Sequence, residues 1–162
     1  MSQSKKTHDK MSALEAACRH HGLPLTVQRR VILAALVARD DHPTADEILE
    51  EVRSRLPDVS RTTVYRVLNT LVQLGLAVKI CSPGASARFD PKTDRHHHLV
   101  CVQCEQVMDF EAPTLNTLTL PDARKSAFQI HDYSIHFRGL CVDCREPTQF
   151  KPKKMKKKEI KQ

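Results

Sequence analysis

Four cysteines are spaced to hold a metal: Cys101-x2-Cys104 and, after 36 intervening residues, Cys141-x2-Cys144. Each CxxC turn presents two thiolates on one side of a tight loop, and two such turns complete a tetrahedral zinc sphere. Closing it would tie a strand hairpin to the C-terminal part of the chain, with apparent zinc binding worth roughly 10 kcal/mol or more of folding free energy. The other two cysteines, Cys18 and Cys81, stand alone and are expected to be small buried hydrophobes.

A second constellation lacks thiolate. His96-x-His98 on an extended segment puts two imidazoles on one face of a strand, whereas His97 would face the other way. Asp90 and Asp109 flank the pair, with His42 as an outlying member. Imidazole with carboxylate suits iron, manganese or zinc better than copper(I). A third group lies on the stretch from Arg61 to Leu74, where Arg61, Thr62, Tyr65, Arg66 and Asn69 share one helical face with no acidic residue among them. Such a face can lie against DNA.

These groups need elements to carry them. Residues 12–21 are expected to form a helix stopped by Gly22, with Pro24 beyond. Thr26 caps a second helix, in which Val27, Val31, Leu33, Ala34 and Val37 mark an apolar stripe. Thr44 caps a third over 45–56, with Asp46 and Glu47 in its first turn, and Pro57 ends it. Ser60 caps a fourth that buries Val64, Val67, Leu68, Leu71, Val72 and Leu74 and closes at Gly75. A short hairpin follows, LAVKI and SARFD around Ser82-Pro83-Gly84. Short helices, a polar-faced last helix and a hairpin predict a winged helix-turn-helix over residues 1–90. After a hinge at about 88–95, residues 91–150 carry strand-like runs (98–102, 107–110, 127–137) and a helical stretch near 112–118. The fold class is therefore α+β.

Composition agrees. The chain of 162 residues is 40% hydrophobic but only 4% aromatic, so aliphatic side chains must fill its core. Its net charge of +7 is local: the tail 151–162 holds seven Lys and one Glu, leaving +1 for residues 1–150. That tail is expected to be disordered and to add sequence-independent DNA affinity. The longest apolar run, Val31–Ala38, is far too short for a membrane span, and the polar N-terminus has no signal-peptide core. A cytoplasmic protein is expected, which favours metal over disulfides at the CxxC pairs.

Taken together the chain resembles the ferric uptake regulator (Fur) superfamily. The matching segments are Leu25-Thr26-x-Gln28-Arg29, His42-Pro43-Thr44-Ala45-Asp46-Glu47-Ile48, Ser60-Arg61-Thr62-Thr63-Val64-Tyr65-Arg66, Arg88-Phe89-Asp90, His96-x-His98-Leu99-Val100-Cys101-x2-Cys104 and Gly139-Leu140-Cys141-x2-Cys144. The resemblance implies an N-terminal winged helix and a C-terminal α/β domain that dimerises through its sheet. It implies structural Zn(2+) on Cys101, Cys104, Cys141 and Cys144, and regulatory Fe(2+) or Mn(2+) on His42, Asp90, His96, His98 and Asp109. It places Tyr65 and Arg66 on the recognition helix and Arg29 near the DNA backbone.

The ligand types point to one branch. Zinc-uptake regulators commonly carry Cys where this chain has Asp90, and iron-uptake regulators Glu in place of Asp109. Positions that often build a further metal site read Arg95, His97 and Tyr133, so that site is absent from the expectation. At Pro24 some members carry a Lys that reaches the minor groove. Three His with two Asp resembles the peroxide-sensing branch, which nominates His42 and His96 as the oxidation-sensitive ligands. The expected function is a metal-dependent repressor that binds a palindromic operator as a homodimer and senses hydrogen peroxide; the alternatives are iron-responsive and then zinc-responsive repression. No nucleophile or site for a small organic substrate can be read, and an enzyme would leave the winged helix unexplained.

Overall fold

The computed structural model describes residues 3–81, 84–123, 126–130 and 133–145. The expected tail 151–162 and the turn residues Ser82 and Pro83 lie outside them. The chain divides into two compact units, with the division between Arg95 and His96.

The N-terminal unit holds four helices, α1 (Gln3–His20), α2 (Val27–Val37), α3 (Ala45–Val52) and α4 (Arg61–Gln73), then the antiparallel pair β1 (Val78–Ile80) and β2 (Arg88–Asp90). Their starts follow local chemistry. Thr26 and Ser60 accept from the N–H groups of Arg29 and Thr63. Thr44 forms a reciprocal capping box with Glu47. Gly22 and Gly75 take left-handed φ values of 63° and 68°. Each lets the next residue bond back into the helix, Leu23 N–H to Cys18 C=O and Leu76 N–H to Leu71 C=O.

Four details of this unit differ from the sequence expectation. Helix α1 begins nine residues early; Met11 packs against the core, and the Lys10 ammonium donates to the Leu76 carbonyl and the Thr93 hydroxyl, which fastens its polar first half. Helix α3 stops at Val52, because Pro57 disfavours a helical residue before it and Arg53-Ser54-Arg55 is exposed, with nothing apolar to bury. In α2 the buried face is Ile32, Leu33, Ala35, Leu36 and Val37, while Val27 is 63% exposed. With Leu14, Ile48, Val64, Leu68, Leu71 and Phe89 they form the core, in which Cys18 is buried as expected. Cys81 is not: Ile80 fills the inward position at the end of β1, so the next residue faces out.

The C-terminal unit is a three-stranded sheet with β3 (His97–Cys101) in the middle, antiparallel to β4 (Val107–Phe110) and parallel to β5 (His136–Gly139). A four-residue helix, α5 (Val142–Arg145), follows. Of the expected strand 127–137, residues 131 and 132 lie outside the described residues and the end belongs to β5, whose ladder with the five-residue β3 opens at the His98 N–H to Ile135 carbonyl bond. The helical stretch near 112–118 is a single 3-10 turn, Pro113–Leu115. Thr117 turns its hydroxyl onto the Thr114 carbonyl, the local competition by which such residues disfavour a helix.

Register sorts the sheet into two faces. Leu99 pairs with Met108 and Phe137, and His97 with Phe110, so the four apolar side chains share one face with His97. His98 pairs with Asp109 and His136 on the other. Among the described residues no helix is long and apolar enough to cross a membrane.

Candidate functional site

The four expected zinc ligands converge in the C-terminal unit. Cys101 closes β3, Cys104 follows it in the tight turn to β4, Cys141 follows β5, and Cys144 sits on α5. Their Sγ atoms all lie within 4.8 Å of one another, with Cys104 and Cys141 3.6 Å apart. A tetrahedron with Zn–S bonds of about 2.3 Å has edges near ~3.8 Å, so the donors fit that ion. The first turn is shaped for it: Glu105 adopts a left-handed φ of 61° and returns its N–H to the Cys101 carbonyl.

The thiols are electrostatically unequal. Burial raises the Cys101 thiol, but N–H groups of Cys104, Cys141 and Gln103 outweigh it and bring the group to about 6. Cys104 and Cys144 are pushed up, first by burial and then by neighbouring sulfurs. Four thiolates this close repel, and a dication is the charge that lets them ionise together.

Donors of the second constellation are paired within each unit. In the N-terminal unit His42 Nε2 stands 3.6 Å from Asp90 Oδ2, with both side chains buried. The chain around His42 is stitched to β2: Phe89 N–H donates to the Pro43 carbonyl and the Arg88 guanidinium to the His42 carbonyl. His42 itself has a φ of 52°, a left-handed conformation that a non-glycine residue keeps only where its surroundings impose it. The second oxygen of Asp90 accepts from the Lys92 N–H, which fixes the carboxylate.

In the C-terminal unit His96 and His98 place Nε2 3.4 and 3.9 Å from the same Asp109 oxygen. Their rings meet edge to face at 4.6 Å. His136, which sequence reasoning passed over, meets His98 edge to face at 5.4 Å, and burial followed by the His98 charge holds it below the usual imidazole range. Strand pairing was the only signal that could have found it. His97 lies on the opposite sheet face, fully buried, and its ring nitrogens have no hydrogen-bond partner among the described residues. Imidazoles and carboxylates without thiolate suit a borderline dication such as iron or manganese.

The expected DNA-facing residues belong to the N-terminal unit. Thr62, Tyr65 and Arg66 are exposed along α4. Arg61 is exposed too, but its guanidinium lies fork to fork on Asp46, with contacts of 2.5 and 2.7 Å. Arg29 donates to the Pro24 carbonyl at the entry to α2.

Comparison with known proteins settles the family: residues 20–138 match the ferric uptake regulator family model. The chain belongs to that family. It is a metal-responsive, DNA-binding transcriptional regulator with the α+β Fur fold. It is 31% identical over 131 residues to a peroxide-responsive repressor, PerR, of Staphylococcus aureus, covering 81% of this chain and 88% of that one. Among solved structures it is similar to the Vibrio cholerae ferric uptake regulator (28% identity, TM-score 0.60, 78% of this chain and 98% of that one). It is also similar to a Campylobacter jejuni peroxide stress regulator (28% identity, TM-score 0.56, 72% and 88%).

For a DNA-binding regulator the Arg61–Asp46 pair has a consequence. An exposed ion pair is worth about 1 kcal/mol at most, so a phosphate can compete for the arginine. Asp46→Asn is expected to tighten DNA binding and to steepen its salt dependence by about one phosphate contact. Unchanged affinity and slope in a salt titration would mean that Arg61 does not reach the backbone.

Proposed function

We propose that this chain is a metal-dependent repressor that binds palindromic operator DNA as a homodimer and senses hydrogen peroxide at a regulatory iron. The observation that carries the sensing is the donor set: imidazoles at 42, 96 and 98, carboxylates at 90 and 109, and no thiol, with Asp rather than Glu at 109. Similarity to peroxide regulators of two organisms supports it. Cys101, Cys104, Cys141 and Cys144 hold the structural zinc.

In this reading the His42–Asp90 pair and the His96, His98 and Asp109 set close on one ion. Because each unit supplies part of the donors, metal binding fixes the DNA-reading unit relative to the dimerising one. Two recognition helices so fixed can address successive major grooves of a two-fold operator. Met108, Phe110 and Phe137, exposed around the half-buried Leu99 on the apolar sheet face, support dimerisation through the sheet.

Iron held there would activate peroxide beside a ligand ring, which would supply the two electrons that reduce it. His42 or His96 takes one oxygen atom onto a ring carbon while the peroxide leaves as water. The oxidised ring is a poorer donor, the two donor sets part, and DNA is released. Mass spectrometry of iron-loaded protein after peroxide is expected to show a histidine peptide 16 Da heavier; its absence removes the sensing mechanism. Asp109→Glu is expected to blunt this oxidation while leaving Mn(II)-dependent DNA binding within a few fold, and an undiminished peroxide response would show that the carboxylate length does not select the chemistry. Similarity to the Vibrio cholerae regulator favours a second reading, iron-responsive repression. Operator release by iron removal but not by peroxide would establish that one.

A further inference from the structure

The exposed face of α4 offers two residues suited to reading bases, Tyr65 and, one turn on, Asn69. A free asparagine amide pairs bidentately with adenine. Asn69 is not free: its Nδ2 donates to the Tyr65 carbonyl at 3.0 Å and its Oδ1 accepts from the Lys79 ammonium at 3.4 Å. One donor and one acceptor position of the amide are therefore engaged within the protein, which fixes its orientation. Lys79 comes from β1 of the wing and also donates to the Tyr65 hydroxyl oxygen at 2.9 Å.

The chemistry of that bond sets its direction. An ammonium has only donors, so in that bond the tyrosine oxygen accepts, and the O–H keeps its own proton to donate elsewhere. The ring cannot swing freely, because its edge packs at 6.4 Å and 84° against Phe89, which is fully buried. The Lys79 hydrogen bond, then the Asn69 side chain and the Lys79 charge, hold the Tyr65 phenol below its ordinary range, so its proton is a better donor than that of a free phenol.

We propose that Lys79 and Asn69 lock Tyr65 as a hydrogen-bond donor to a single base-edge acceptor in the major groove, which makes Lys79 a positioning residue for sequence recognition and not a phosphate contact. This rests on the reading that α4 enters operator DNA.

The test uses full-length, metal-loaded protein and the operator it enriches from a randomised duplex library, with every base pair of one half-site then varied in turn. Tyr65→Phe is expected to lose about 3- to 10-fold in affinity for that operator, with discrimination lost at one base pair only. Lys79→Met is expected to lose discrimination at the same base pair, with the salt dependence of binding unchanged. The double variant should be no worse than Tyr65→Phe, since the lysine acts through the hydroxyl. A salt slope lowered by about one in Lys79→Met marks a phosphate contact and overturns the proposal. Additive losses, or a Tyr65→Phe protein that keeps wild-type discrimination everywhere, overturn it equally. Wild-type protein that enriches no sequence sinks the operator reading itself, which separates that failure from this one.

Discussion

Cys141→Ser is expected to melt the C-terminal unit while the N-terminal helices survive. The reason is a disparity in cores. The N-terminal unit packs four helices around Leu14, Ile32, Leu36, Ile48, Leu68, Leu71 and Phe89, all fully buried. In the sheet unit the buried apolar residues among those described are Val100, Cys101, Val107 and Cys141, two of them proposed metal ligands. Three short strands and a four-residue helix do not offset their own chain entropy. Zinc on four thiolates, at roughly 10 kcal/mol or more, can. Circular dichroism melts with limited proteolysis should show cleavage confined to residues beyond Arg95 in the variant, and in wild type stripped by a strong chelator. A C-terminal unit that stays protected in both cases would remove the zinc staple from the account.

The second large effect concerns His96. Two sites coupled through one conformational equilibrium shift each other's affinity by about 5- to 150-fold. Wild-type protein should therefore bind operator that much more tightly with Mn(II) than without, manganese being chosen because it holds the ligands without peroxide chemistry. His96→Ala is expected to show the weak affinity under both conditions and to retain its zinc and thermal stability, because the tetrathiolate cluster does not involve this side chain. Full Mn(II) dependence in the variant would sink the regulatory role of the imidazole at 96. Loss of zinc as well would make the variant uninformative about sensing, and His98→Ala then serves as the second probe of the same donor set.

Much of this was legible in the chain because the signals were local. Helix caps are chemistry over three residues, and Thr26, Thr44 and Ser60 start their helices where expected. CxxC spacing is likewise local, and period two in a strand separated His96 and His98 from His97. Expectations failed where periodicity was degenerate or a partner decided. The C-terminal two-thirds of helix α2 is apolar all round, so its stripe could be drawn on several faces; contact with α1, α3 and α4 selected the one that leaves Val27 exposed. Where the strand expected near 127–137 forms was decided by β3, whose residues pair with ones 38 positions further along the chain.

Local chemistry along the chain settled the kinds of donor and where the helices begin, since both depend on residues in covalent proximity. Tertiary structure alone decided what those residues face. It set His136 beside His98 through a parallel pairing that no local pattern encodes, turned Cys81 outward, and committed Arg61 to Asp46 and Asn69 to Lys79. A side chain's type states which bonds it can make. Which of them it has already made depends on neighbours that only the folded chain brings within reach.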